Sequence, residues 1–135
     1  MKIYKKEIEI KTSKREEFLD ITNRVTQVVK ESKVLEGVCY IFVPHTTAAI
    51  TINENADRSV IRDIIGKLNE LIPKDSNFEH MEGNSDAHIK SSLIGISLNV
   101  LVSKNELCLG TWQGIFFCEF DGPRSRRVWI EVMGE

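Results

Sequence analysis

The pattern of apolar and polar residues along the chain predicts mostly strands. Residues 1–11 alternate, with Tyr4, Ile8 and Ile10 facing one way, which is typical of a half-buried strand. Residues 37–43 are apolar throughout, which favours a strand buried on both faces. The same reasoning predicts five further strands, at residues 48–53, 96–102, 106–112, 114–120 and 126–133.

Two segments instead carry apolar residues at helical spacing. Ser13 and Glu16 form a capping-box pattern before the first, which predicts a helix over residues 14–32. Asp57 is suited to cap the second, which is predicted to span residues 57–72.

A polar stretch at residues 74–87 follows, too long for a plain connection in a small domain and therefore a candidate functional loop. Ser85 or Asp86 is expected to begin a short helical turn that runs to Leu93 and ends at Gly95.

Together these elements predict one α+β domain over residues 1–135. Its core should be a mostly antiparallel, β-sandwich-like arrangement of about seven strands with two main helices. The net charge of −2 and a pI near 6.0 argue against a dedicated nucleic-acid or membrane-surface binder. The chain has no run of 18 apolar residues and no signal-like start, so we expect no membrane partner and a cytoplasmic location.

Three cysteines, Cys39, Cys108 and Cys118, lie in apolar runs without metal-ligand spacing. Free, buried thiols in a reducing compartment are expected.

All three histidines, His45, His80 and His88, lie in polar segments rather than on apolar faces. Core packing does not account for them, so we expect them to share one divalent metal, with zinc favoured. Nearby Glu82 and Asp86 are candidate general bases or partners that orient the rings. The spacing fixes no ligand pair locally, however, and loop histidines bonded to the backbone are the alternative.

Magnesium is a second possible metal. It would prefer oxygen ligands, with a substrate phosphate completing the shell. The acidic residues near the histidines that could supply such ligands are Glu54, Asp57, Glu82 and Asp86.

A second group of residues is suited to binding an anion. The start of the predicted helical turn offers free amides, and hydroxyl, amide and cationic side chains lie on it or in two later turns. The residues are Asn84, Lys90, Ser91, Thr111, Gln113 and Arg124. A solvated hairpin with surface charges would explain part of the same pattern.

Five segments of uncommon residues begin at His45 (HTTAA), Thr51 (TINENAD), His80 (HMEGNSDAHIK), Leu109 (LGTWQG) and Glu119 (EFDGPR). In this order and over nearly the whole chain, they closely resemble the signature segments of the YjbQ family. The resemblance implies a compact α+β fold that associates as a homotrimer. Some members carry the name secondary thiamine-phosphate synthase, an enzyme that joins a pyrimidine diphosphate to a thiazole phosphate and releases diphosphate.

Three functions therefore stand as hypotheses. The first is a transferase of this type acting on a phosphorylated small molecule with a divalent metal. The second is a zinc-dependent hydrolase or lyase with a three-histidine site, and the third is a non-catalytic trimeric protein that binds a small anion.

Overall fold

The computed structural model describes residues 1–75 and 77–135, which form eight strands and three helices. In chain order the elements are β1 (Lys2–Lys11), β2 (Glu17–Asp20), α1 (Thr22–Ser32), β3 (Glu36–Phe42), β4 (Ala48–Glu54), α2 (Arg58–Leu71), α3 (Ser85–Ile94), β5 (Ser97–Ser103), β6 (Glu106–Leu107), β7 (Gln113–Glu119) and β8 (Ser125–Gly134).

The strands form two antiparallel sheets. The larger has the order β1-β8-β3-β5-β6, and the smaller has the order β2-β7-β4. Apolar residues of both sheets and of α1 share one buried cluster, so the sheets enclose a common core. The predicted α+β fold with an antiparallel core is confirmed.

Strand β7 lies at the centre of the smaller sheet and is buried along both faces from Gly114 onward. Ile115 and Phe117 belong to the core shared with the larger sheet. Cys118 and Phe120 instead join a second cluster with α2 and α3. Alternation along one strand thus places helices on one side of the smaller sheet and the larger sheet on the other.

The prediction of a helix over residues 14–32 is wrong for the first half of this segment. Residues 17–20 form β2, which pairs with β7 in the register Phe18 with Cys118, and the helix begins only at Thr22. Glu17, rather than Glu16, accepts hydrogen bonds from the Ser13 backbone N–H and hydroxyl. Pairing with β7 outweighs the local preference for a helix here because it packs Phe18 edge-on against Phe120.

Two predictions about the larger sheet also need correction. Strand β3 is not buried on both faces, because Tyr40 and Phe42 lie on an outer face that no other element of the described chain covers, and are 45% and 39% exposed. The strand predicted at 106–112 is only the two-residue β6. The chain then turns, which leaves Cys108 exposed, whereas Cys39 and Cys118 are buried as expected.

The two remaining helix predictions are confirmed, with small differences in the residues at which the helices begin and end. Asp57 caps α2 by accepting a hydrogen bond from the Ser59 amide, and Pro73 follows the helix end. Asn84, rather than Ser85 or Asp86, occupies the cap position of α3, and Gly95 follows its last turn. The long loop before α3 is present in the described residues, and Ser76 lies outside them. No helix in the described part of the chain has the length and apolarity needed to cross a membrane.

Candidate functional site

Four loop segments meet where β7 ends. The Phe120 amide donates to the Thr47 carbonyl, and the Gly122 amide donates to the Arg15 carbonyl. The Asn84 side chain, just before α3, donates to Asp121 at 2.8 Å. The loops that follow β1, β3, α2 and β7 therefore form one continuous polar region.

At the base of this region lies a buried ion pair between Glu119 and Arg126, which are 0% and 3% exposed. Arg126 Nε donates to Glu119 Oε1 at 2.9 Å, and Nη2 binds the second carboxylate oxygen. Thr12 Oγ1 also donates to Glu119, and Arg126 Nη2 donates to Thr47 Oγ1. A bidentate pair with further hydroxyl partners satisfies both charges inside the protein.

A second buried ion network joins α3 to the β1–β2 loop. Arg15 donates two hydrogen bonds to the Asp86 carboxylate, at 3.0 and 3.2 Å. Lys90 Nζ donates to Asp86, Glu16 and Asn69, which uses all three ammonium protons. Burial alone would raise the pKa of Asp86, but the hydrogen bonds from Arg15 and Lys90 outweigh it and hold that pKa below its ordinary value.

These contacts argue against the roles predicted for Asp86 as a general base and for Lys90 as an anion ligand. Asp86 and Lys90 are both 0% exposed. The carboxylate of Asp86 is occupied by two cations, so it is poorly placed to take a proton from a substrate. Lys90 has no ammonium proton left for a phosphate, and its contacts here hold α3 in place.

The amino end of α3 presents a polar group whose bonding is incomplete. Asn84 is 8% exposed, and its Nδ2 donates to Asp121 Oδ2 at 2.8 Å and to Glu82 Oε2 at 3.3 Å. The two carboxylates fix the orientation of the amide, because a flipped amide would turn its oxygen toward them. Its Oδ1 is buried and has no hydrogen-bond partner among the described residues, which leaves an acceptor free at this position.

Beside this cap, His80 and His88 lie close together. Their ring centroids are 5.3 Å apart and the rings are nearly perpendicular. Glu82 Oε2 lies 3.9 Å from His80 Nε2, and both of these side chains are substantially exposed. Two imidazoles and one carboxylate therefore face an accessible space.

His45 is bonded differently. Its Nε2 accepts a hydrogen bond from the Arg127 backbone N–H at 2.9 Å. Burial, followed by repulsion from Arg126 and Arg127, lowers the pKa of His45, so the ring is neutral near pH 7 with its proton on Nδ1. In this arrangement neither ring nitrogen is free to bind a metal.

Within residues 1–75 and 77–135, no three His, Cys, Asp or Glu side chains are grouped to hold a metal ion. The structure brings together two of the three predicted histidine ligands, and metal binding at His80 and His88 stays a prediction.

The predicted anion-binding residues are divided between two places. Arg124 lies at the end with Asn84, where it donates to the Asp121 carbonyl and carboxylate. Ser91 is buried and donates to the Ala48 carbonyl, so it faces the sheet. Thr111 and Gln113 lie at the opposite end of β7, roughly 20 Å away for a seven-residue strand. One chain therefore does not place them in the same site as Arg124.

Sequence reasoning missed the residues that organise this site: Thr12, Arg15, Thr47, Glu119, Asp121 and Arg126. One signal was available, because Glu119 interrupts an otherwise apolar run in β7 and is fully buried there. A lone charge within a central strand requires a partner. The identity of the partner, on β8, depends on the fold.

Comparison with known proteins gives a consistent result. The chain matches the family model described as "UPF0047 protein YjbQ-like" over residues 6–135. It is 58% identical to UPF0047 protein MJ1081 of Methanocaldococcus jannaschii, covering 94% of this chain and 92% of the relative. It is 50% identical to UPF0047 protein YugU of Bacillus subtilis, covering 96% and 98%.

Solved structures agree with these relatives. A YbjQ-like protein of unknown function from Sulfolobus solfataricus superposes with a TM-score of 0.95 at 37% identity, covering 99% of both chains. An uncharacterised YjbQ/UPF0047-family protein from Clostridium acetobutylicum superposes with a TM-score of 0.93 at 52% identity, covering 94% of this chain and 98% of the other. The expected family is confirmed: the chain belongs to the YjbQ (UPF0047) family.

Proposed function

We propose that the protein is an enzyme that acts on a phosphorylated small molecule at the amino end of α3, with a divalent metal bound by His80 and His88. The observation that carries the proposal is the pairing of these two rings beside Glu82 and the unpartnered Asn84 oxygen. Exposed imidazoles, a carboxylate and a helix amino end favour a metal and an anion together.

The histidine pair fits a shared metal. Two imidazoles bound to one tetrahedral zinc ion, with Zn–N bonds of about 2 Å, have ring centres roughly 5 Å apart. The His80 and His88 centroids are separated by 5.3 Å. Zinc is the favoured ion for nitrogen ligands, and magnesium is possible if Glu82 and the substrate phosphate supply oxygens. A bound metal would supply positive charge to stabilise a phosphate leaving group.

The anion would bind to groups that are still free to donate. The first amides of α3 that bond within the helix are those of Ala87 and His88, both to the Asn84 carbonyl. The amide of Ser85, which precedes them in a residue that is only partly buried, therefore remains available at the positive end of the helix dipole. Arg124 is 49% exposed and binds Asp121 through Nε and Nη2, which leaves Nη1 for a phosphate oxygen.

The specific reaction that the family resemblance implies is of the thiamine-phosphate synthase type. A thiazole nitrogen would form a bond to the pyrimidine methylene carbon as the carbon–oxygen bond to diphosphate breaks. Diphosphate leaves with the electron pair, so positive groups near its oxygens would lower the barrier. Arg124 and the free amide of Ser85 are the groups of this chain suited to that role.

A second candidate is a zinc-dependent hydrolase or lyase. The proximity of Glu82 to His80, at 3.9 Å, favours it, because a carboxylate beside a metal ligand is suited to act as a general base. In the hydrolase reaction, water rather than a second substrate would attack.

The two activities can be separated in one set of assays. Protein purified without chelators is analysed for metal content, then assayed with hydroxymethylpyrimidine diphosphate, with and without thiazole phosphate. Diphosphate release that requires both substrates supports the transferase. Release that requires only water and zinc supports the hydrolase, and substrate binding without turnover contradicts both.

Variants of the histidines locate the metal. His80→Ala and His88→Ala should each lose most of the bound metal, whereas His45→Ala should retain it because its Nε2 is engaged by Arg127. Equal metal content in all four proteins would contradict a site at the histidine pair. Loss in His45→Ala as well would favour the three-histidine site expected from the sequence.

We also propose that the protein assembles as a homotrimer. The outer face of the larger sheet exposes Tyr40, Phe42 and Trp129, and the Phe42 and Trp129 rings stack with centroids 5.7 Å apart. A contiguous aromatic surface of this kind is favoured at a subunit interface. Light scattering should give three times the chain mass, and Trp129→Lys should reduce it. A monomer at micromolar concentration would contradict the proposal.

A further inference from the structure

A cavity of about 520 Å³ separates α2 from the smaller sheet. Helix α2 packs on this sheet through Leu68, which is buried, and Ile64, which contacts the cluster around Phe120. Other residues of the same helix, Arg58, Ile61, Arg62 and Ile65, line the cavity. The cavity is not used by the site at α3.

The floor of the cavity is apolar and partly aromatic. Strands β2 and β7 contribute Phe18 and Phe116, and α2 contributes Ile61 and Ile65. All except Phe116 are only partly buried. The volume falls within the range of small-molecule sites, which are typically about 300–1,000 Å³. A ligand with an apolar body would remove these side chains from water.

The carboxylates around the rim are largely occupied. Four of the five accept hydrogen bonds from within the protein. The pairs are Glu16 with Lys90, Glu17 with Ser13, Asp20 with Thr22, and Asp57 with Ser59. Among the described residues that line the cavity, Glu54 is the one carboxylate that accepts no such hydrogen bond.

The cations around the rim are not occupied in this way. Lys14, Arg58 and Arg62 line the cavity, and none of them forms an ion pair with another described residue. Arg58 and Arg62 are four residues apart, so they lie on the same face of α2. The guanidinium groups of Arg58 and Arg62 therefore have donors free for an external anion, beside an apolar floor.

We infer that this cavity is a binding site for a small amphipathic anion, with an aromatic or branched aliphatic body and one carboxylate, sulfonate or phosphate group. The body packs on Phe18, Phe116 and Ile61, and the anionic group binds Arg58 and Arg62. The lining carries five carboxylates against three cations, so selection rests on short-range donors rather than long-range attraction. Glu16 separates this cavity from the α3 site, because it lines the cavity and also binds Lys90.

The test uses 1-anilinonaphthalene-8-sulfonate, an aromatic anion whose fluorescence rises in apolar surroundings. It should bind the wild-type protein saturably, and phenyl phosphate or benzoate should displace it, whereas inorganic phosphate alone should not. The variant R58Q/R62Q should weaken binding by about tenfold or more, because two charge-assisted hydrogen bonds are lost. The matched control is Lys67→Gln, an exposed cation on the same helix that pairs with Glu70.

The exposed aromatic face of the larger sheet is the competing site for this dye. The variant Trp129→Gln should therefore bind the dye at the cavity with unchanged affinity. Methyl resonances of Ile61 and Ile65 should shift on titration, which locates the ligand independently of fluorescence. Three outcomes would overturn the inference: unchanged affinity in R58Q/R62Q, loss of binding in Trp129→Gln alone, or tighter binding of a cationic analogue such as naphthylmethylammonium.

Discussion

Two polar groups at the carboxyl end of β7 differ in how completely their hydrogen bonds are made. The inner group, with Glu119, Arg126, Asp86 and Lys90, is buried, and each of its charges has internal partners. The outer group around His80 and Glu82 is exposed, with its nearest ion contact at 3.9 Å. Satisfied charges fix the positions of loops, whereas incompletely bonded groups remain available for chemistry.

The difference has an energetic basis. A buried ion pair adds little stability relative to a well-packed apolar pair, but removal of one partner leaves an uncompensated charge in a low-dielectric interior. Exposed polar side chains cost little to replace. The inner group should therefore show large effects on stability, and the outer group should show effects on binding alone.

The largest effect is expected at the buried pair. Arg126→Met leaves Glu119 unpaired and should lower the free energy of unfolding by about 3–5 kcal/mol, measured by urea denaturation. The matched control is Arg127→Met, on the next position of β8, whose ion pair with Glu7 is solvent-exposed. The double variant E119M/R126M should be less destabilised than the sum of the single variants. Equal effects at positions 126 and 127 would remove the distinction between the two groups.

A smaller loss is expected for Lys90→Met. This change removes the ammonium from Glu16 and Asp86 but leaves the Arg15 pair with Asp86 in place. The free energy of unfolding should fall by roughly 2–3 kcal/mol, below the cost of a fully unpaired buried charge. Lys67→Gln serves as the exposed control. Unchanged stability in Lys90→Met would show that the buried ammonium does not hold α3 in place.

The third prediction concerns acid stability. The folded pKa of Asp86 is lower than its unfolded value, so its contribution is present above about pH 4 and is lost as the pH falls through the folded pKa. In Asp86→Asn this contribution is absent at every pH. Below pH 4, wild-type stability should therefore fall more steeply than that of the variant, by up to about 1.4 kcal/mol per pH unit for one proton. Parallel pH profiles of unfolding would contradict this.

The smallest effect is expected at the outer group. His80→Asn and His88→Asn should change the free energy of unfolding by about 0.5 kcal/mol or less, while metal binding falls sharply. Both quantities should be measured on the same preparations. A loss of stability close to that of Lys90→Met would show that the histidine pair is part of the structural network.

Local sequence patterns predicted much of the fold. The β1 alternation, the Asp57 cap with Pro73 after α2, and Gly95 after α3 all correspond to observed elements. Each depends on residues within a few positions of one another, so the information is present in a short window. The closeness of His80 and His88 was anticipated for a related reason, since only seven residues separate them in sequence.

Long-range pairing decided the rest. Residues 17–20 became a strand because β7, about one hundred positions later, supplies the partner edge and the contact with Phe120. The positive charge of Lys90 suggested an anion-binding residue, yet in the fold its ammonium group is surrounded by three acceptors from separate segments. Glu119 interrupts an apolar run and so indicated a buried charge, but only the fold, in which the chain passes from β7 in one sheet to β8 in the other, brings Arg126 to it. Local patterns encode which faces are apolar, whereas burial and partners are set by segments distant in sequence, which no short window contains.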